Sequence, residues 1–450
     1  MDFGKWQELE PKHLGRLKIS DRSHTTIMGL MSMHWSGYVR EAALKRLGKT
    51  RDGCELPFLL MRLNDWVEQV RTVSRTLVEE RLTPDYAPHF VQCLGLVYRL
   101  EECGRDDHAG TLEKITKMLQ SDDCNEALTV GLASEDRIAR RWAYRLATGS
   151  DFHNTLEVCR SALSQEDPVI RLWVSRMVVE KLGHDDLGAI LPKMRADHFM
   201  PVRREALNGY RKLSAEKSKA ELEKGLLDAH GSIREYCRFF LKKDGVTDFV
   251  SIYRQAVHDP DHATLAGAIG GLGETGTAED VPILKKHVSD ERTRVRKAAV
   301  SALAKLGDSD AVQFLLPYLS DKTLSVCRTT ERAISNKLEW IKIEDLWDIY
   351  AAEPRVTAKK YMLRLFGEYT RWTALPYLLR AYARNSETDF RLPAEFLRIL
   401  VYNWNRSFTN PTVTDLKKID DALAEPGLRR DDPLVKEITA AVERWRPEVT

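Results

Sequence analysis

Apolar residues recur along the chain in short series at i, i+3, i+4 and i+7, the spacing that lays one stripe down an α-helix. Val295, Ala298, Ala299, Ala302, Leu303 and Leu306 form one such series. Period-2 alternation, the mark of a half-buried strand, is nearly absent. Turns rich in Asp, Gly and Ser punctuate the stripes, and a second helical segment, such as AEDVPILKKHV or AVQFLLPYL, lies between one stripe and the next. The predicted unit is a helical hairpin.

The hairpin repeats. One phrase returns: a turn with Asp or Gly, an apolar residue, usually an Arg, then a helical apolar pattern. GYVREAALKRLG, DPVIRLWVSRMV and TRVRKAAVSALAKLG are examples. Its apolar anchors are Val39, Val70, Ala139, Ile170, Val202, Ile233, Leu265, Val295, Val326, Val356 and Phe390, at intervals of 31, 69, 31, 32, 31, 32, 30, 31, 30 and 34 residues. The long interval is two periods, with a degenerate repeat expected around PHFVQCLGLVYRLEECG. A lone amphipathic hairpin cannot bury both faces, so hairpins stack on a shared core. The expected fold is an all-α, right-handed α-solenoid of about twelve stacked hairpins of ~31 residues. Residues 1–24 are expected to form a cap or arm, 25–400 the solenoid and 401–450 a helical cap, with the aromatics of RWTALPYLLRAYARNSETDFRLPAEFLRILVYNWNRSF either packed in that cap or exposed to a partner.

The stretch LGETGTAEDVPILKKHVSDERTRVRKAAVSALAKLGDSDAVQFLLPYLSD, residues 272–321, resembles the HEAT-repeat family, in particular the short HEAT-like repeats of phycobilisome lyases. The resemblance covers roughly residues 25–400. It implies a ladder of turn aspartates and second-helix arginines. The matching aspartates are Asp136, Asp167, Asp197, Asp228, Asp290 and Asp321; the matching arginines are Arg40, Arg71, Arg140, Arg171, Arg203, Arg234, Arg296 and Arg391. The ladder lapses at Ala266, Cys327 and Thr357, where a local change of curvature is expected. The resemblance implies an architecture; a fold does not fix a function.

Composition narrows the function classes. The 450 residues carry 69 Lys+Arg against 67 Asp+Glu, a net charge of +2, so no global polyanion-binding charge exists and only a local basic patch can serve that role. No stretch approaches a membrane helix and the N-terminus has no apolar leader, so a cytoplasmic protein without a membrane partner is expected. Seven scattered cysteines with no CxxC pair argue for reduced, mostly buried thiols rather than disulfides or zinc.

Motifs for chemistry are sparse. GLGETG, Gly271 to Gly276, has dinucleotide-loop spacing but follows a helix, so it reads as a repeat turn. HDPDH gathers His258, Asp259, Asp261 and His262, yet sits where helix caps are needed. None of the 12 histidines precedes a Glu, so the His-Glu metal ligands of the iron enzyme of this fold, deoxyhypusine hydroxylase, are missing. No cofactor and no metal are expected. The sharpest feature is a basic stripe on second helices, which line the concave face in HEAT-like solenoids: Arg141, Arg145, Arg176, Arg204, Arg211, Arg238 and Lys297, with Trp142, Trp173 and Tyr210 interleaved. The same arginines and aromatics also suit the ladder and the inter-repeat core. The expected function is a non-catalytic scaffold or adaptor that binds a protein partner along the concave face. The alternative is a nucleic-acid-binding protein with a basic concave groove, including a DNA glycosylase of the alkylpurine class, in which Asp136 beside Trp142 or Asp167 beside Trp173 would supply the catalytic pairing.

Overall fold

Each apolar stripe becomes a helix whose buried side is completed only by the next repeat. The computed structural model describes residues 6, 8–16, 21–149, 155–258, 263–384, 391–403 and 409–446, and among them every regular element is helical. Contacts divide the chain into two units, Met1–Ser218 and Lys219–Thr450.

In the first unit α1 (Pro11–Arg16) precedes a series of pairs: α2 (Asp21–Met31) with α3 (Gly37–Leu47), α4 (Leu56–Arg62) with α5 (Glu68–Glu79), a broken α6 (Ala87–Gln92) and α7 (Leu94–Arg99) with α8 (Ala109–Leu119), α9 (Asn125–Leu132) with α10 (Arg137–Gly149), α11 (Thr155–Ala162) with α12 (Pro168–Lys181), and α13 (His184–Arg195) with α14 (Met200–Leu213). The boundary falls inside α15 (Ala215–Gly225). The second unit continues with α16 (Gly231–Lys243), then pairs α17 (Phe249–His258) with α18 (Leu265–Thr275), α19 (Val281–Lys285) with α20 (Thr293–Leu306), α21 (Ser309–Leu315) with α22 (Leu324–Ile334), α23 (Ile343–Ala352) with α24 (Val356–Glu368), α25 (Arg371–Arg384) with α26 (Arg391–Tyr402), and α27 (Val413–Leu423) with α28 (Pro433–Glu443). Second helices pack on second helices: α3 on α5 and α10 on α12 on α14 in the first unit, α18 on α20 on α22 on α24 in the second. Each unit is an all-α solenoid of stacked hairpins.

The anchors from Val39 to Val326 are buried, Val356 is half-buried, and Phe390 lies outside the described residues. The degenerate stretch breaks at Cys93 into α6 and α7, and α8 follows it. Leu14 of α1 is buried and His34 Nε2 donates to the Trp6 carbonyl, so the described N-terminal residues close the first core. The carboxyl-end aromatics Trp372, Tyr377 and Tyr382 are core side chains, whereas Tyr402 is exposed. Small residues let α18 and α20 approach closely: a Cβ on Gly273 would sit 2.5 Å from the Ala302 Cβ. Five of the seven thiols are buried; Cys54 is exposed and Cys103 half-buried.

The polar skeleton is a double-duty ladder. A turn carboxylate accepts the backbone N–H two residues on, as Asp65 does from Val67, Asp167 from Val169 and Asp321 from Thr323, fixing the chain's entry into the second helix. The second-helix arginine then donates backwards to its own turn and forwards to the next carboxylate. Arg40 binds the carbonyls of His34 and Trp35 and both oxygens of Asp65. Arg171 binds the carbonyls of Gln165 and Glu166 and both oxygens of Asp197. Arg296 binds the carbonyls of Asp290 and Glu291 and both oxygens of Asp321.

Several expected rungs differ. Arg140 donates only to its own turn, at the Ser134 carbonyl, and the neighbouring Arg141 takes Asp167 instead. Asp136 caps α10 through Ile138 and Ala139 N–H. Arg234 pairs with Glu274, at the end of α18. Arg391 is exposed, and the turn before it lies outside the described residues.

Two of the three lapses are compensated. Where Ala266 replaces a ladder arginine, the next turn carboxylate, Asp290, pairs with Arg292 two residues on. Where Cys327 does so, Glu353 pairs with Arg355 in the same i, i+2 geometry, and Arg355 also reaches back to the carbonyls of Ser320, Asp321 and Lys322. These arginine hydrogen bonds pull the Asp290 and Glu353 carboxyls down to about 2 against the opposing effect of burial. Off the ladder, Arg81 pairs with Glu55, both fully buried, and Arg254 with Asp280.

Removing the Arg355 guanidinium strands a nearly buried carboxylate, so Arg355→Ala is expected to cost about 2 kcal/mol, less than a wholly buried pair because Arg355 is partly exposed. Cys327→Arg should restore most of that loss in the double variant, since it rebuilds the ordinary rung; urea titration with no restoration would refute the compensation. The Glu353 contribution is complete above its ordinary value of 4.5 and is lost as pH falls towards about 2, so wild type and Arg355→Ala should converge over that range.

Glu331 is the opposite case. It is 9% exposed, its Oε2 has no hydrogen-bond partner, and burial raises its carboxyl above the usual range despite Arg364, Arg332 and Arg328 nearby. A raised carboxyl favours the fold below its unfolded value and penalises it as pH rises. Glu331→Gln should therefore stabilise by about 1 kcal/mol at neutral pH and by little near pH 4, measured by urea midpoints at both.

Candidate functional site

In the first unit the second helices α10, α12 and α14 carry most of the expected basic stripe. Arg141 is not available to a partner: its Nε and Nη2 donate to Asp167 at 2.6 and 3.0 Å. That bond raises Arg141 and holds the Asp167 carboxyl below the usual carboxylate range. Asp167, weighed above as a catalytic partner of Trp173, is thus an ion-paired helix cap. Arg145 is exposed and lies over two rings, 4.6 Å from the Trp142 centroid and 5.6 Å from that of Trp173. Trp142 stacks on Tyr98 at 3.6 Å and tilts against Trp173 at 5.7 Å. These half-buried rings form a row fixed from one side by the core and from the other by a cation. Arg176 is exposed, 3.5 Å from Glu205. Arg204 and Arg211 are exposed and Tyr210 is half-buried.

The second unit holds the other two stripe residues, and they part company. Arg238 is enclosed, donating to Tyr253 Oη at 3.0 Å and to Glu274 at 2.8 Å. Burial works against the ionised Glu274, yet bonds from Arg234 and Arg238 hold its carboxyl below the usual range. Lys297 lines a groove of about 400 Å³ on the second helices, floored by Ala266, Gly270, Ala298 and Ala302. The groove continues past Ser301, Lys305 and Thr329 into a recess of about 570 Å³ that ends at Arg332, Asn336 and Lys337. Arg294, Lys297, Lys305 and Arg332 make no ion pair with a described carboxylate, and Glu274, the one acid in the lining, is already bound twice.

This groove is the more developed site, and apart from Lys297 the expected stripe missed its cations. The signal was present: Arg294, Ala298, Ser301 and Lys305 fall at i, i+4, i+7 and i+11, one face of α20. The arrangement concentrates positive charge over a small-residue floor and offers hydroxyl and amide groups from Ser301, Thr329 and Asn336. It suits an extended anionic segment. GLGETG runs along α18 into its C-terminal turn rather than forming a loop after a strand, and a Cβ on Gly271 would collide with the Tyr253 ring. Of HDPDH, His258 ends α17, and Asp259, Asp261 and His262 lie outside the described residues. Among the described residues no three His, Cys, Asp or Glu side chains gather to hold a metal ion, and no helix is long and apolar enough to cross a membrane.

No curated protein matches the chain. Among solved structures, yeast importin-beta, Kap95p, aligns with a TM-score of 0.40 and 12% identity over 99% of this chain and 68% of its own. YibA of E. coli aligns with a TM-score of 0.29 and 15% identity over 67% of this chain and 98% of its own. Residues 251–335, which contain α18, α20 and α22, match the family model described as HEAT repeats. That match falls on hairpins that carry the ladder, so residues 251–335 are HEAT repeats.

Proposed function

We propose that this HEAT-repeat protein is a scaffold or adaptor that holds a protein partner along the surface of its second helices, the concave side in HEAT-like solenoids. The observation that supports this reading most is the groove across α18, α20 and α22, where four cations make no ion pair with a described carboxylate above a floor of small side chains. Other arginines of the second helices are committed: Arg40, Arg171, Arg234, Arg238 and Arg296 to carboxylates inside the stack. A set of like charges without a counter-charge destabilises the isolated fold slightly and gains most from an incoming surface of opposite sign. In the first unit Arg145, Arg176 and Arg204 are exposed on second helices, and a cytoplasmic setting fits the reduced thiols.

The test is cross-linking mass spectrometry on the tagged full-length protein in its host, with two charge-reversed variants beside it. One carries Arg294→Glu, Lys297→Glu, Lys305→Glu and Arg332→Glu; the other carries Lys285→Glu and Lys286→Glu on first helix α19 and its end. Arg141 is left intact because its loss would break a structural pair. Partner cross-links are expected on second helices and should be lost in the first variant alone, with thermal unfolding unchanged. Cross-links confined to first helices, or retained in the first variant, would overturn the proposal.

A further inference from the structure

We infer that the groove across α18, α20 and α22 takes an extended, Asp/Glu-rich peptide segment, a specification that rests on the scaffold reading above. Four features of the groove converge on this chemistry.

Charge comes first. Arg294, Lys297 and Lys305 lie along α20, with Arg332 and Lys337 beyond them on and just after α22. Lys337 packs over the Trp340 ring at 4.4 Å, which leaves four cations that, among the described residues, make no ring contact and no ion pair. Glu274 contributes no repulsion, since Arg234 and Arg238 neutralise it.

Shape is the second. Ala266, Gly270, Ala298, Ala302, Ala304 and Ala333 present methyl groups or bare backbone, so a chain can lie flat against the helices. Gly270 is required here for another reason: a Cβ there would meet the Arg234 guanidinium at 2.7 Å.

Length is the third. Three successive helices at 8–10 Å spacing span roughly 20 Å, which an extended chain crosses in about six residues. Cations spread over that distance match carboxylates distributed along a segment better than one compact anion.

The fourth separates peptide from nucleic acid. Single-stranded nucleic acids are held by aromatic rings on which bases stack, along with phosphate contacts. No aromatic side chain lines either part of this groove. Ser301, Thr329 and Asn336 do line it, and a hydroxyl or an amide can pair with the N–H and C=O groups of an extended backbone. A peptide uses everything the groove offers, whereas a nucleic acid leaves its bases unstacked.

The experiment is fluorescence anisotropy with the full chain. The probes are a labelled Glu/Asp-rich peptide of about twelve residues, its Gln/Asn counterpart, and a labelled single strand of similar length. The variants are Lys297→Glu with Lys305→Glu, Lys305→Glu with Arg332→Glu, and, as a control away from the groove, Lys286→Glu. The acidic peptide should bind, weaken as salt rises, and lose about tenfold or more in both double variants while Lys286→Glu matches wild type. The amide peptide should not bind. Absence of acidic-peptide binding to wild type at low salt, equal binding by the double variants, or displacement of the peptide by the single strand at lower concentration would each overturn the inference. If it fails while partner cross-links still fall on second helices, the scaffold reading survives without this ligand; if those cross-links also move to first helices, both fall.

Discussion

The second-helix arginine tied at both ends, as at Arg40, Arg171 and Arg296, is the constraint on which the rest of the structure depends. Its backward bonds satisfy carbonyls left open by the intra-repeat turn, and its forward bonds meet a carboxylate that is itself fixed by capping the next second helix. Neither bond set would hold alone: a buried guanidinium without its carboxylate is costly, and so is a turn whose carbonyls face no donor. Because each rung binds adjacent repeats, it sets the register between hairpins, which alanine- and leucine-rich faces leave nearly free to slide. Hydrophobic burial supplies most of the driving force, and the rungs choose which of several similar packings is adopted.

This division explains what could be read in the sequence. Anchors such as Ile170 and Ile233 were legible because burial imposes a helical period, and both are fully buried. Ladder rungs such as Arg171–Asp197 and Arg296–Asp321 were legible because the same residue types recur in the same turn. Arg140 and Arg141 were not separable by type: adjacent arginines are equivalent in a string of letters, and only the rotation of α10 decides which one reaches Asp167. Arg81 with Glu55 was invisible for a different reason, since it pairs across 26 residues without any recurrence to mark it. Arg355 was overlooked because it takes over a role from a position, Cys327, whose letter shows only that the usual residue is gone.

For the candidate site the limit was geometric. A basic residue on a second helix can be a rung, a ring cover or a free charge, and composition does not distinguish these. Arg141 and Arg238 are bound to carboxylates, Arg145 covers Trp142 and Trp173, and Lys297 lines an open groove. All four look alike in the sequence. What sorts them is whether a carboxylate lies within reach on the neighbouring repeat, and that depends on the ladder being in place first.

The groove itself follows from a missing rung. At Ala266 the ladder side chain is reduced to a methyl, and one turn later Gly270 removes even that; both now form part of the groove floor. An ordinary arginine at 266 would fill this space and draw Asp290 towards it. Instead Arg292 satisfies Asp290 from the same turn, so the carboxylate stays paired while the volume stays open. The cations on α20 and α22 then border a space that the stack no longer needs for its own cohesion. Replacing the rung with a local pair thus separates holding the repeats together from presenting a surface.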